Sequence, residues 1–129
     1  MATYLDSSAI VKLVVEEPES AALRRHLRRR RPLVSSALAR TEVLRTLLPA
    51  GDEFVAAGRR VLATVNMVRV NDRVLNQAAT LLPATLRSLD AIHLATAATL
   101  ATDLREIVTY DSRMAEAARA LGHRVASPS

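Results

Sequence analysis

The sequence predicts an α/β domain with a central, mostly parallel sheet of four or five strands. Short apolar runs bounded by turn residues alternate with longer segments of helical periodicity along the whole chain, the pattern of strands joined by crossover helices. The length, 129 residues, suits one domain that buries about two-thirds of its unfolded surface. Hydrophobic residues make up 50% and aromatic residues only 2% (Tyr4, Phe54 and Tyr110), so the chain is globular with an aliphatic core. No repeat, linker or second domain interrupts it. A single domain is therefore expected over residues 1–126, with Ser127-Pro128-Ser129 as a frayed tail.

Each element has a local reason. Ala2–Leu5 is a short strand ending at Asp6, and Ser7 and Ser8 are suited to cap a helix carrying Ile10, Val11, Val14 and Val15. After Glu17-Pro18, a helix from about Glu19 to Arg30 sets Ala22, Leu23 and Leu27 inward and crowds its other faces with arginine. Pro32–Ser35 is the second strand, and a helix from about Ala37 to Leu48 stops at Pro49. Asp52 is an N-cap candidate for a helix to about Thr64, and Met67–Val70 is the third strand. Asn71 or Asp72 caps a helix that ends near Pro83; Ser88 caps a long apolar one, Leu89–Ala101. Glu106–Thr109 is the fourth strand, and Asp111 or Ser112 opens a last helix ended by Gly122. Arg124–Ala126 is a small fifth strand.

Composition excludes several classes of function. With no cysteine, disulfides and thiolate metal sites are ruled out. No apolar run reaches the roughly 20 residues needed to span a bilayer, and the N-terminus, MATYLDSSAIVKL, lacks the basic region and cleavage signal of a leader. The expectation is a cytoplasmic protein without membrane association. Net charge is +5, and all but one of the 18 basic residues are arginine, Lys12 being the exception. The sign suits a polyanion, and the guanidinium fork suits phosphate.

Four acids stand against that basic background. Asp6 follows the first strand and Asp111 the fourth, so both project from the carboxyl edge of the sheet, where open parallel sheets bind ligands. Asp90 lies in the first turn of its helix, and such helices begin near the same edge. Glu42 is mid-helix and must reach that region sideways. An isolated carboxylate beside apolar segments costs solvation free energy unless it is paired, hydrogen-bonded or bound to a cation. Two carboxylates about 4 Å apart repel by about 4 kcal/mol at an effective dielectric near 20, so a cluster needs either protons or a divalent ion. All-oxygen ligation favours a hard ion, Mg2+ or Mn2+. Taken one at a time, each acid also has an ordinary reading. Asp90 and Asp111 suit helix starts, and Glu42 could be an exposed residue paired with Arg45.

The segments YLDSSAIVKL, SSALARTEVLRTL, SLDAIHLATA and IVTYDSRMAEAARALG, in that order and at these separations, resemble the PIN-domain ribonucleases, and among them the VapC toxins of bacterial toxin–antitoxin pairs. The resemblance covers nearly the whole chain. It implies a PIN-like three-layer α/β/α sandwich and a Mg2+- or Mn2+-dependent endoribonuclease acting on RNA phosphodiesters. By position, Asp6, Glu42, Asp90 and Asp111 match the family's four acids. Asp6 and Asp90 match its most secure metal ligands, Asp111 would complete the cup, and Glu42 would bind metal directly or through water. Ser8 and Thr109 match small hydroxyl positions beside the first and last acids. The resemblance further implies a VapB-like antitoxin whose tail covers the active-site groove, and a homodimer.

Arg45 and Arg87 flank Glu42 and Asp90 and are candidates for holding RNA phosphate. The Arg24–Arg31 cluster reads as a solvated helix face, since six arginines on one helix fan around it. His93, three residues after Asp90, reads as a core or rim histidine hydrogen-bonded nearby; His26 and His123 read as surface residues. Two other functions compete. An aspartate-based phosphotransferase would want an acid two residues after Asp6, where Ser8 stands, and a later lysine that is missing. A catalytically silent PIN-like RNA- or protein-binding module is disfavoured by the intact acid set.

Overall fold

A computed structural model describes all residues, Met1–Ser129. Five strands, β1 (Ala2–Leu5), β2 (Leu33–Ser36), β3 (Asn66–Val68), β4 (Leu104–Val108) and β5 (Val125–Ala126), form one sheet in the order β3-β2-β1-β4-β5. Every pairing is parallel. The chain starts in the middle strand, builds outward to β3, then crosses over to β4 on the other side. This puts a reversal of strand order between β1 and β4, the position at which open α/β sheets form a ligand crevice.

Seven helices cover the sheet: α1 (Ser7–Val14), α2 (Ser20–Leu27), α3 (Leu38–Leu47), α4 (Asp52–Leu62), α5 (Asp72–Ala79), α6 (Ser88–Ala98) and α7 (Ser112–Ala120). Alternation along the strands divides the core in two. Leu5 and Val108 face a cluster with Ile10, Leu23, Val43 and Leu62 from α1–α4. Tyr4 and Ile107 face the opposite cluster with Leu94 of α6 and Met114 of α7. Behind α6, Val74 and Ala78 of α5 pack on Ala91 and Ala95. The architecture is thus the expected three-layer sandwich. Full burial of side chains such as Ile10, Leu23 and Leu94 contributes about 1.5–3 kcal/mol each. No helix is long and apolar enough to cross a membrane.

Element ends differ from the sequence expectation in physically specific ways. Asp6, not Ser7 or Ser8, is the N-cap of α1, its carboxylate accepting from the Ala9 amide. Gly51, at φ +108°, precedes α4, so Asp52 is its first residue rather than its cap. Asn71 caps α5 as anticipated. Ser88 does not cap α6, which begins after Arg87 without a side-chain cap. Helix α2 ends at Leu27 rather than Arg30, and β4 starts at Leu104 because Ala2 pairs there. The tail is docked rather than frayed: the Ser127 hydroxyl donates to the Thr109 carbonyl and Tyr110 Oη donates to the Pro128 carbonyl at 2.7 Å.

Candidate active site

The reversal of strand order brings the ends of β1 and β4 side by side, and with them Asp6 and the segment Thr109–Asp111. Asp6 is 5% exposed. Its Oδ1 accepts from the Ser8 hydroxyl at 2.6 Å and the Ala9 amide at 3.0 Å, and its Oδ2 accepts from the Thr109 hydroxyl. The Ser8 hydroxyl also ties the two strand ends together, and that of Thr109 holds the turn leading into α7. Ser8 Oγ accepts from the Tyr110 amide at 2.9 Å, and Thr109 Oγ1 from the Asp111 amide at 3.1 Å. Burial pushes the Asp6 carboxyl up from its ordinary range, opposed by the donors from Ser8, Thr109 and Ala9.

Asp111 is the N-cap of α7, where its Oδ1 accepts from the amides of Arg113 (2.9 Å) and Met114 (3.2 Å). Asp90, in the first turn of α6, is half-buried. Burial raises its pKa, and the negative charges of Asp111, Asp6 and Glu42 raise it further. Glu42 comes from α3 on the other side of the sheet. Its Oε1 accepts from the Ser7 hydroxyl at 2.6 Å and lies 2.6 Å from His93 Nε2. Burial would raise its pKa, but the hydrogen bonds from His93 and Ser7 outweigh it and hold the carboxyl below its ordinary value.

The acids share one pattern. In Asp6, Glu42 and Asp111 one carboxylate oxygen is saturated by two protein donors. Two lone pairs per oxygen leave a free position on Asp6 Oδ2, even with Thr109 bound, and leave Glu42 Oε2 and Asp111 Oδ2 wholly open. Asp90 accepts no protein hydrogen bond. None of the chain's 18 lysines and arginines forms an ion pair with any of the four. The unpaired oxygens are the donor set a hard divalent ion requires. As the side chains stand, no three of them are close enough to share one ion, so ligation would draw mutually repelling carboxylates inward.

Two outcomes follow from this electrostatics. Because the folded-state pKa of Asp90 lies above the unfolded value, its contribution to stability is full at low pH and is lost as pH rises through the folded value. Asp90→Asn is therefore expected to raise the melting midpoint at pH 7 in chelator by about 2 °C. The gain should close on acidification; a lower midpoint for the variant at pH 7 would contradict the repulsion. Thr109→Val removes one donor from Asp6 and the acceptor of the Asp111 amide. With Asp6 a metal ligand of a ribonuclease, as the resemblance implies, the expected loss of RNA cleavage is about 10–100-fold, the usual cost of losing an outer hydrogen bond to such a ligand, as read in a single-turnover assay.

The remaining residues fall as follows. Arg87 is exposed and lines a groove of about 940 Å³ with Asp90 and Arg113. Arg45 is exposed and does not pair with Glu42, whose partners are His93 and Ser7 instead. His26 is not a free surface residue: its Nε2 lies 2.6 Å from Glu106, beside Arg30. The other arginines of the Arg24–Arg31 cluster lie in solvent, apart from Arg24, which pairs with Glu16 at 2.8 Å. Ser7 was visible in the sequence only as a helix-cap candidate, and its contact with Glu42 spans 35 positions.

The chain matches the PIN domain family over residues 3–120. It is 61% identical over 128 residues to Ribonuclease VapC46 of Mycobacterium tuberculosis, covering 99% of this chain and 98% of the relative. It is 38% identical to Ribonuclease VapC47 of the same species over 130 residues, covering 97% and 96%. Among solved structures it is similar to Mycobacterium tuberculosis VapC20, a sarcin-ricin loop cleaving toxin, with a TM-score of 0.79 at 16% identity over 98% of this chain and 100% of that one. It is also similar to a toxin–antitoxin complex from Klebsiella pneumoniae, with a TM-score of 0.74 at 21% identity over 100% and 98%. With its fold, its acids at the sheet's carboxyl edge and a close relative along its full length, the chain belongs to the VapC-type ribonucleases of the PIN-domain family.

Proposed function

We propose that the protein is a Mg2+- or Mn2+-dependent endoribonuclease, the toxin of a toxin–antitoxin pair, acting in the cytoplasm. The observation that supports it most is the set of four acids whose protein contacts leave oxygens open and to which no lysine or arginine of a strongly basic chain pairs. Asp6, Asp90 and Asp111 would hold the ion, with Glu42 as a direct or water-linked ligand. When bound, such an ion activates water and stabilises the developing charge on a phosphodiester and its leaving 3′-oxygen. Ser8 and Thr109 hold Asp6 in place through their hydroxyls. Arg87, on the rim beside Asp90, and Arg45 near Glu42 would hold flanking phosphates as bidentate donors. With only three aromatic residues, recognition would rest on RNA shape and phosphate contacts more than on base stacking.

A VapB-like antitoxin is the proposed partner, supported by the VapC-type relatives and by the toxin–antitoxin complex among the similar structures. Homodimerisation is proposed on the family resemblance. The experiment is end-group analysis of RNA cut by the purified chain with Mg2+. Attack by water predicts 5′-phosphate and 3′-hydroxyl ends. Cyclic 2′,3′-phosphate ends, the mark of attack by the ribose hydroxyl, would contradict the reading, and binding without turnover would favour a silent module instead.

A further inference from the structure

We infer that His93, held by Tyr4, is a positioning residue that aims Glu42 into the acid cluster. This rests on the metal-dependent reading above and adds a role outside the four acids. His93 is 1% exposed and lies between two partners: Nδ1 is 2.7 Å from Tyr4 Oη, and Nε2 is 2.6 Å from Glu42 Oε1. A carboxylate only accepts, so the proton of this contact sits on Nε2. With that proton on Nε2, the Nδ1 lone pair can accept from the Tyr4 hydroxyl. Tyr4 is fully buried in β1 and meets the imidazole edge to face, with ring centroids 5.9 Å apart. The tyrosine thus fixes both the tautomer and the tilt of the ring.

The geometry gives this contact a purpose beyond satisfying a buried hydroxyl. Helices α3 and α6 pack on opposite faces of the sheet. The bond from His93 to Glu42 passes over the carboxyl edge of the strands and joins the two layers where the acids meet. His93 stands one turn after Asp90 on α6. One helix therefore supplies Asp90 directly and fixes Glu42 at second hand. Ser7, adjacent to Asp6, donates to the same Oε1. With both donors on Oε1, the carboxylate is locked in rotation and Oε2 is left as the ligand oxygen. Glu42 sits mid-helix with no strand end to place it, so its clamp comes from other elements, whereas Asp6 and Asp111 are held by donors at the strand ends and helix starts where they stand.

The test combines Mn2+ binding, followed by the electron paramagnetic resonance of free Mn2+, with RNA cleavage at varied substrate and metal. His93→Leu is expected to weaken Mn2+ binding by about 10-fold, as loss of an outer hydrogen bond to a ligand does, and to lower kcat while leaving KM for RNA near the wild-type value. His93→Gln keeps a donor near the position of Nε2 and should recover most of the Mn2+ affinity. Tyr4→Phe keeps the packing, removes the hydroxyl and should weaken binding by a smaller factor. In metal-free protein, the long-range proton–nitrogen NMR pattern of His93 should show the proton on Nε2. Wild-type Mn2+ affinity in His93→Leu, a Gln variant as weak as the Leu one, or a proton on Nδ1 alone would overturn the role. If His93→Leu does not fold, unchanged binding in Tyr4→Phe overturns it and weakened binding upholds it. A wild-type protein that binds no Mn2+ overturns the metal reading and this role together. Wild-type binding with indifferent His93 and Tyr4 variants overturns this role alone.

Discussion

Asp6→Asn and Asp90→Asn are each expected to lower RNA cleavage by at least about 100-fold, since losing an outer-sphere partner alone costs about 10–100-fold. The two substitutions act on different parts of one device. Asp6 is buried at the end of β1, and Asn can still cap α1 through its carbonyl oxygen. What Asn cannot supply is a second anionic oxygen, and its amide nitrogen would face the Thr109 hydroxyl that now donates to Oδ2. Asp90 accepts no protein hydrogen bond and is charged against the repulsion of its neighbours. That net electrostatic cost is one that a bound divalent ion would relieve, in line with the proposed ligand role. Single-turnover cleavage of a labelled RNA, alongside circular dichroism to show an intact fold, provides the check. Undiminished cleavage in either variant would remove that acid from the site.

Removal of divalent metal is expected to stop cleavage, and Mg2+ or Mn2+ to restore it. Asp111, Asp6 and Glu42 lie near enough to Asp90 for their charge to raise its pKa, no lysine or arginine pairs with any of the four, and a shared ion would draw them closer. Every pair about 4 Å apart would cost about 4 kcal/mol at an effective dielectric near 20. The protein meets part of that cost by raising the pKa of Asp6, through burial, and of Asp90, through burial and neighbouring charge. Protons then compete with the ion above the usual carboxylate range. The Mg2+ concentration for half-maximal cleavage should therefore rise as pH falls below neutral, while saturating Mg2+ recovers the rate. Cleavage that persists in EDTA, or a Mg2+ requirement that is flat across that range, would contradict this electrostatics.

How much of this was legible in the sequence depends on how local the cause was. The switch between short apolar runs and helical periodicity specified the strand–helix alternation, and all five strands lie within a few residues of their expected places. Asp6 and Asp111 were legible because a strand end fixes where the next residue points. Asp90 was legible because acids at helix starts lie near that same edge. Caps were less so. Ser7, Ser8 and Asp6 are all good N-cap types, and the choice fell to Asp6 because β1 ends at Leu5 and turns there. Glu42 was placed by family resemblance rather than by local pattern. Its partners Ser7 and His93 lie 35 and 51 positions away, and they meet only when α3 and α6 close over the sheet from opposite sides. The docked tail is a similar case: Ser127 and Pro128 look unstructured by composition, yet the β4–α7 link supplies their partners.

The central claim is that Asp6 and Asp90 hold a divalent ion at the carboxyl edge of β1 and β4. Crystals of the wild-type protein grown with Mn2+ test it most directly, through anomalous scattering. The expected result is a peak at direct coordination distance from carboxylate oxygens of both Asp6 and Asp90, with Asp111 drawn toward it. Catalytically active protein whose Mn2+ lies elsewhere, or which binds none, would contradict it.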